Sequence, residues 1–178
     1  MNKKLFVLSV IPISLCPISS FAGPFTDINR LGDLFMVMTP AYALGMTVQA
    51  KDFKGTLQLA ENIAAVQVAT EGLKRIVREE RPNGADNLSF PSGHSAGAFS
   101  GAMFVHKRYG LKPALLPYAM AAITGWTRVY VKAHYWHDVI AGAALSALFT
   151  WVIVEPYDTK ISVSADTTGF NFSFKTVF

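Results

Sequence analysis

Five apolar runs of about 14 to 17 residues, each cut by glycine, proline or charge, fill most of the chain from residue 33 to residue 154. That punctuation predicts helices near 33–49, 56–75, 93–109, 113–126 and 138–154. The expectation is an all-α bundle of five to six helices, the sixth being the N-terminal apolar segment. At 178 residues and 51% apolar the chain fits one domain with a single core, here 23–160. The runs fall short of the roughly 20 residues usual for a spanning helix. The second also carries Gln58, Glu61, Asn62, Gln67 and Glu71 around most of its circumference, which lipid penalises unless neighbouring helices cover them.

Two flanking segments read differently. Lys3 and Lys4 precede an apolar run from Leu5 to Ile18, and Ser20, Phe21 and Ala22 make a small-x-small pattern before Gly23. Residues 1–22 are therefore an export signal or an uncleaved first membrane helix, and the chain beyond Ala22 begins outside the cytoplasm on either reading. If the helices cross a membrane in alternation, Lys51, Lys54, Lys107, Arg108 and Lys112 fall on the cytoplasmic side, as the positive-inside bias expects. In the tail, 161–178, apolar residues alternate on either side of a turn at 166–169, which predicts a short β-hairpin, packed locally on the helices.

Composition excludes several chemistries. The net charge of +4 is mild and its cations are scattered, so nucleic-acid binding has little support. A single cysteine, Cys16, can build neither a disulfide framework nor a thiolate metal cluster.

Three segments carry residue types suited to holding an anion. In the first, Lys74 precedes Arg81-Pro82 by seven positions, and Pro82 stops a helix near Arg81, so cations collect at a helix-to-loop boundary. The second is Pro91-Ser92-Gly93-His94, opening a helix of small residues. Its first N–H groups lack partners and Gly93 permits close approach, which makes a cradle for phosphate oxygens beside His94. The third runs Thr127-Arg128, five residues, His134, three residues, Asp138. A carboxylate four positions after an imidazole can reach it across one helical turn and fix its tautomer. Each segment has an ordinary reading as well: a basic helix end, a Ser92 cap, a first-turn acid at Asp138. Their occurrence in order, each at the same end of a helical hairpin scheme, favours one shared site.

With these residues the chain resembles the type 2 phosphatidic acid phosphatase superfamily, whose signature has a Lys and Arg-Pro, a Pro-Ser-Gly-His, and a Ser-Arg with downstream His and Asp. The likeness spans Lys74 to Asp138 and the helix after it; Thr127 stands where the family has Ser, and keeps the hydroxyl. The resemblance implies that His134 attacks phosphorus to form a phosphohistidine while Asp138 orients its ring. It implies that His94 protonates the leaving oxygen and later helps activate water. Lys74, Arg81, Ser92, Gly93 and Arg128 would bind the phosphate, without metal or other cofactor. His137, which also neighbours Asp138, is a rival nucleophile and ranks second because adjacency suits the pairing poorly.

The expected substrate is a phosphomonoester or diphosphate, lipid-linked by preference because apolar helices would hold the site near headgroups. The expected setting is the bacterial cell envelope: the cytoplasmic membrane with the site facing the periplasm, or the periplasm itself. A soluble broad-specificity acid phosphatase is the main alternative. A vanadate-dependent haloperoxidase and a non-catalytic anion-binding protein are further ones.

Overall fold

The computed structural model describes residues 24–157, 161–166 and 169–174. Five helices run in order: α1 (Pro24–Gln49), α2 (Phe53–Val77), α3 (Gly93–Tyr109), α4 (Leu111–Tyr130) and α5 (Trp136–Ile153). They are followed by an antiparallel hairpin of β1 (Ile161–Asp166) and β2 (Gly169–Phe174), in register with Ile161 opposite Phe174. The expected all-α bundle and tail hairpin are both present. Among the described elements the hairpin makes its contacts within itself, so packing on the helices is not seen. The expectations for residues 1–22, Cys16 included, lie outside the described residues.

Four of the five helices are longer than expected, at 26, 25, 20 and 18 residues, while α3 has the expected 17. Run length is a poor guide here because polar residues continue the helices and find partners inside. Of the five polar residues on α2, Gln58 and Asn62 are buried and Glu71 half-buried, while Glu61 and Gln67 are exposed. Gln58 Oε1 accepts from Arg108 Nη1 at 2.9 Å, and Asn62 Oδ1 accepts from Thr150 Oγ1 at 3.3 Å. Asp52 caps α2 through a bond from Gly55 N to Oδ1 at 2.8 Å.

Helix α3 is the hub, packed against the other four. Its buried face is Ser95, Ala96, Ala98, Ser100, Gly101, Ala102, Phe104 and Val105, and the small residues allow close backbone approach. At Gly101 a Cβ would stand 2.6 Å from Pro40 N and Thr39 C of α1, so only glycine permits that crossing. Gly142 does the same for α5, where a Cβ would lie 2.6 Å from Ser92 O. A cluster of Ala43, Leu59, Phe104, Val105, Ala114 and Val154 fills the end of the bundle remote from His94.

That end also buries a charge. Arg108 donates to Asp52 through Nε, and through Nη2 to Oδ1 at 2.6 Å, while Tyr109 OH donates to Asp52 Oδ2 at 2.7 Å. Arg108, counted among the cations on the cytoplasmic side of the alternating scheme, is a buried strut between α3 and the α1–α2 turn. Outward, the helices stay apolar: Val37 is 60% exposed, Ile140 65% and Val152 76%. Residues 27–49 of α1 and all of α5 are long and apolar enough to cross a membrane, and only 22% and 28% of those windows is buried inside the protein.

Candidate active site

The C-terminal ends of α2 and α4 and the N-terminal ends of α3 and α5 meet at one end of the bundle. Lys74 sits on the last turn of α2, and the helix stops at Arg78, which takes a left-handed conformation with φ 52°. Lys74 is buried, and its Nζ donates to Leu88 O at 2.6 Å. That bond ties α2 to the loop leading into α3.

Arg81 reaches across this loop. Its Nε donates to Asp86 Oδ1 at 2.7 Å and its Nη1 to Ala133 O at 3.1 Å. Nη1 also lies 3.1 Å from His134 Nε2. A guanidinium only donates, so Nε2 accepts here and keeps its lone pair, which puts the imidazole proton on Nδ1. Nδ1 faces Asp138 Oδ2 at 3.4 Å, a charge–dipole attraction short of hydrogen-bond geometry. Burial, then the charges of Arg81 and Lys74, push the His134 pKa down to about 4. The imidazole is neutral at pH 7.

The route from Asp138 to His134 differs from the one expected. Helix α4 ends at Tyr130 and α5 starts at Trp136, so His134 lies in the connecting loop and not one helical turn before Asp138. Asp138 is the third residue of α5 and closes a capping box, accepting from Tyr135 N at 2.9 Å. Its Oδ2 also accepts from Ser89 Oγ at 2.5 Å. The ordinary first-turn role and the facing of His134 thus coexist in one carboxylate.

Ser92 caps α3: its Oγ takes bonds from Ser95 N at 3.4 Å and Ser95 Oγ at 3.0 Å. The N–H groups of Gly93 and His94 head the helix and have no acceptor within it. His94 Nε2 lies 2.9 Å from Asp33 Oδ1 on α1. The same oxygen receives Arg128 Nη1 at 3.0 Å, while Arg128 Nη2 donates to Asn29 O at 2.6 Å. Thr127 Oγ1 accepts from Arg128 Nε at 3.3 Å, so the hydroxyl at this position helps aim the guanidinium.

A cavity of about 290 Å³ is lined by Met36, Gln67, Glu71, Lys74, Arg81, Gly93, His94 and His134. Five of the residues singled out in the sequence therefore share one concave space. Asp138 stands beside it through His134. Ser92 and Arg128 do not line it; each holds a residue or helix end that does. Asp33, Ser89, Gln67 and Glu71 are not picked out by sequence as site residues. No local motif marks them, since each joins the site through contacts distant in the chain.

His137 is exposed and separate from the cavity, its ring stacked on Tyr135 with centroids 5.2 Å apart. Its Nε2 lies 2.8 Å from Glu79 Oε1 and 3.1 Å from Asp138 Oδ1. These three are the group among the described residues able to hold a metal ion, their donor atoms all within 4.8 Å.

The chain is similar to known phosphatases. A lipid A 4'-phosphatase of Helicobacter pylori is 30% identical over 172 residues, covering 89% of this chain and 85% of that protein. A lipid A 1-phosphatase of Porphyromonas gingivalis is 34% identical over 95 residues, 52% of this chain but 21% of that longer protein. Among solved structures, a transmembrane PAP2-type phosphatidylglycerolphosphate phosphatase from Bacillus subtilis is similar with a TM-score of 0.56 and 25% identity, covering 72% of each chain. LpxE of Aquifex aeolicus shares the fold at a TM-score of 0.53 and 22% identity, over 72% of this chain and 90% of that one. The family model for the PAP2 superfamily matches residues 55–161, from early α2 to the start of β1, and the chain belongs to that superfamily as a phosphatase.

Proposed function

We propose that the protein removes phosphate from a lipid-linked phosphomonoester or diphosphate, without metal, through a phosphohistidine on His134. One observation carries the reading: a neutral imidazole with its Nε2 lone pair free of a proton lines the same cavity as two cations, a helix N-terminus and a second imidazole. Phosphoryl transfer asks for positioning and charge stabilisation, and these groups supply both.

In the first step His134 Nε2 attacks phosphorus in line. The N–P bond forms as the P–O bond to the leaving group breaks, and the leaving oxygen takes that electron pair and a proton from His94. In the second, His94 takes a proton from water, whose oxygen attacks phosphorus. The N–P pair returns to Nε2 and phosphate departs. Asp138 stabilises the positive ring of the intermediate. Lys74, Arg81 and the N–H of Gly93 neutralise the phosphoryl oxygens, Arg128 stays outside the cavity on Asp33 and Asn29, and a phosphoryl oxygen replaces Nε2 as the acceptor for Arg81. Ser92 keeps the helix end in place.

The lipid-linked substrate is supported by the apolar outer faces of α1 and α5 and by the lipid A phosphatases among the relatives. Lys51, Lys54, Lys107 and Lys112 gather at the end opposite the site, which supports a site facing the periplasm. The test is phosphate release from lipid A, phosphatidylglycerol phosphate, an isoprenoid diphosphate and a soluble sugar phosphate, with wild type and His134→Ala. Release from a lipid substrate by wild type alone is expected. Preference for the soluble ester, with a protein that leaves membranes in salt without detergent, would favour the soluble alternative.

A further inference from the structure

We infer that Asp33, on α1 and ahead of the region matched by the family model, is a positioning residue that holds His94 by its Nε2, leaving Nδ1 for the reaction, and holds Arg128 beside it; this rests on the phosphatase reading above. A single carboxylate oxygen, Asp33 Oδ1, lies 2.9 Å from His94 Nε2 and 3.0 Å from Arg128 Nη1. Arg128 is buried and anchored a second time by Asn29 O, one turn earlier on α1. The first helix therefore grips both α3 and α4 at the site.

The chemistry depends on which nitrogen is engaged. Among the described residues Asp33 is the partner of His94 Nε2, and Nδ1 has none, so Nδ1 is the nitrogen left for the leaving oxygen. A leaving alkoxide needs a proton in the transition state, and His94 must carry it on Nδ1 while Nε2 keeps its own. A carboxylate against Nε2–H stabilises that imidazolium, as a carboxylate does for a histidine base in hydrolases. The surroundings otherwise oppose it: Lys74 on α2, Arg81 from the loop and Arg128 on α4 are cations, and His134 stays neutral. Glu71 on α2 lines the same cavity, and Asp138 on α5 is turned toward His134 and Ser89. Asp33 is the carboxylate in direct contact with His94.

The arrangement also explains a placement that the signature leaves open. Arg128 does not line the cavity, because its guanidinium is spent on Asp33 and Asn29. Asp33 acts on the reaction through His94 and Arg128 and touches no reacting atom itself.

The experiment compares full-length wild type, Asp33→Asn and Asp33→Glu on two phosphomonoesters, one with an alkyl leaving group and one with a nitrophenyl leaving group. A nitrophenolate departs without a proton, so a residue serving the general acid matters little for it. Asp33→Asn should lose about 10- to 100-fold in kcat on the alkyl ester and far less on the aryl ester. Asp33→Glu should restore part of the loss on the alkyl ester. In a His94→Gln background the Asp33→Asn change should cost little more. Equal losses on both esters, with or without a lowered melting temperature, would make Asp33 structural and overturn the inference; so would additive losses in the double variant. If wild type hydrolyses neither ester nor any lipid phosphate, the phosphatase reading fails and takes this one with it. If Asp33→Asn does not fold, Asp33→Glu carries the leaving-group comparison on the same terms.

Discussion

Arg81 Nη1 stands 3.1 Å from His134 Nε2, and since a guanidinium cannot accept, the pair fixes which imidazole nitrogen holds the lone pair. This contact joins the first signature segment to the third, 53 residues apart. It aims the His134 ring and also helps keep it unprotonated.

The first prediction concerns pH. With its pKa pushed down to about 4, His134 stays neutral through the acid range in which a free histidine charges. The rate on substrate-free enzyme, read as kcat/KM, should fall only as pH drops toward about 4, since protonation removes the lone pair. An acid limb near the ordinary histidine value of about 6.5 would contradict the burial and charge argument.

A second prediction concerns Arg81. Its charge lowers the His134 pKa, so Arg81→Gln should move the acid limb to higher pH. The same variant loses a donor to the phosphoryl oxygens, and kcat should drop by about 10²–10³-fold. Arg81→Lys should keep more of the pH position than of the rate, because charge survives and the fork geometry does not. Rate profiles on one substrate check both.

The Ser89 hydroxyl is the third case. It donates to buried Asp138 Oδ2 at 2.5 Å, and Ser89→Ala leaves that carboxylate with one fewer donor. A loss of about 1–3 kcal/mol in stability is expected, measured by denaturant titration in detergent. Activity should fall as well, since the same oxygen faces His134 Nδ1. A variant as stable as wild type would show the bond to be dispensable.

Close packing supplies the fourth. Gly101→Ala would put a methyl group 2.6 Å from Pro40 N and Thr39 C, which are backbone atoms and cannot swing aside. Separating α1 from α3 should cost about 1–3 kcal/mol and pull Asp33 away from His94. The expected outcome is a lower melting temperature with a larger loss on alkyl than on aryl esters.

Much of the site is legible in the sequence because three short segments each carry their own local chemistry. Pro91-Ser92-Gly93 marks a helix start, and α3 occupies 93–109 as expected. Pro82 marks the end of the basic helix boundary. Asp33 and Ser89 are not legible, since their roles lie in contacts 61 and 49 residues away along the chain. For His134 and Asp138 spacing alone suggests a helical turn, whereas a loop and a capping box bring the two together. Helix length is hidden for a related reason, because Gln58, Asn62 and Arg108 are polar by type yet buried by partnership.

The most direct test of the whole account is to trap the intermediate. Enzyme mixed with a phosphate-labelled lipid substrate, quenched in alkali within the first turnover and digested, should yield one peptide bearing a phosphoryl group on His134, lost on acid treatment. His134→Ala should give none. Label on another residue, or turnover by wild type with no phosphoenzyme at any quench time, would contradict it.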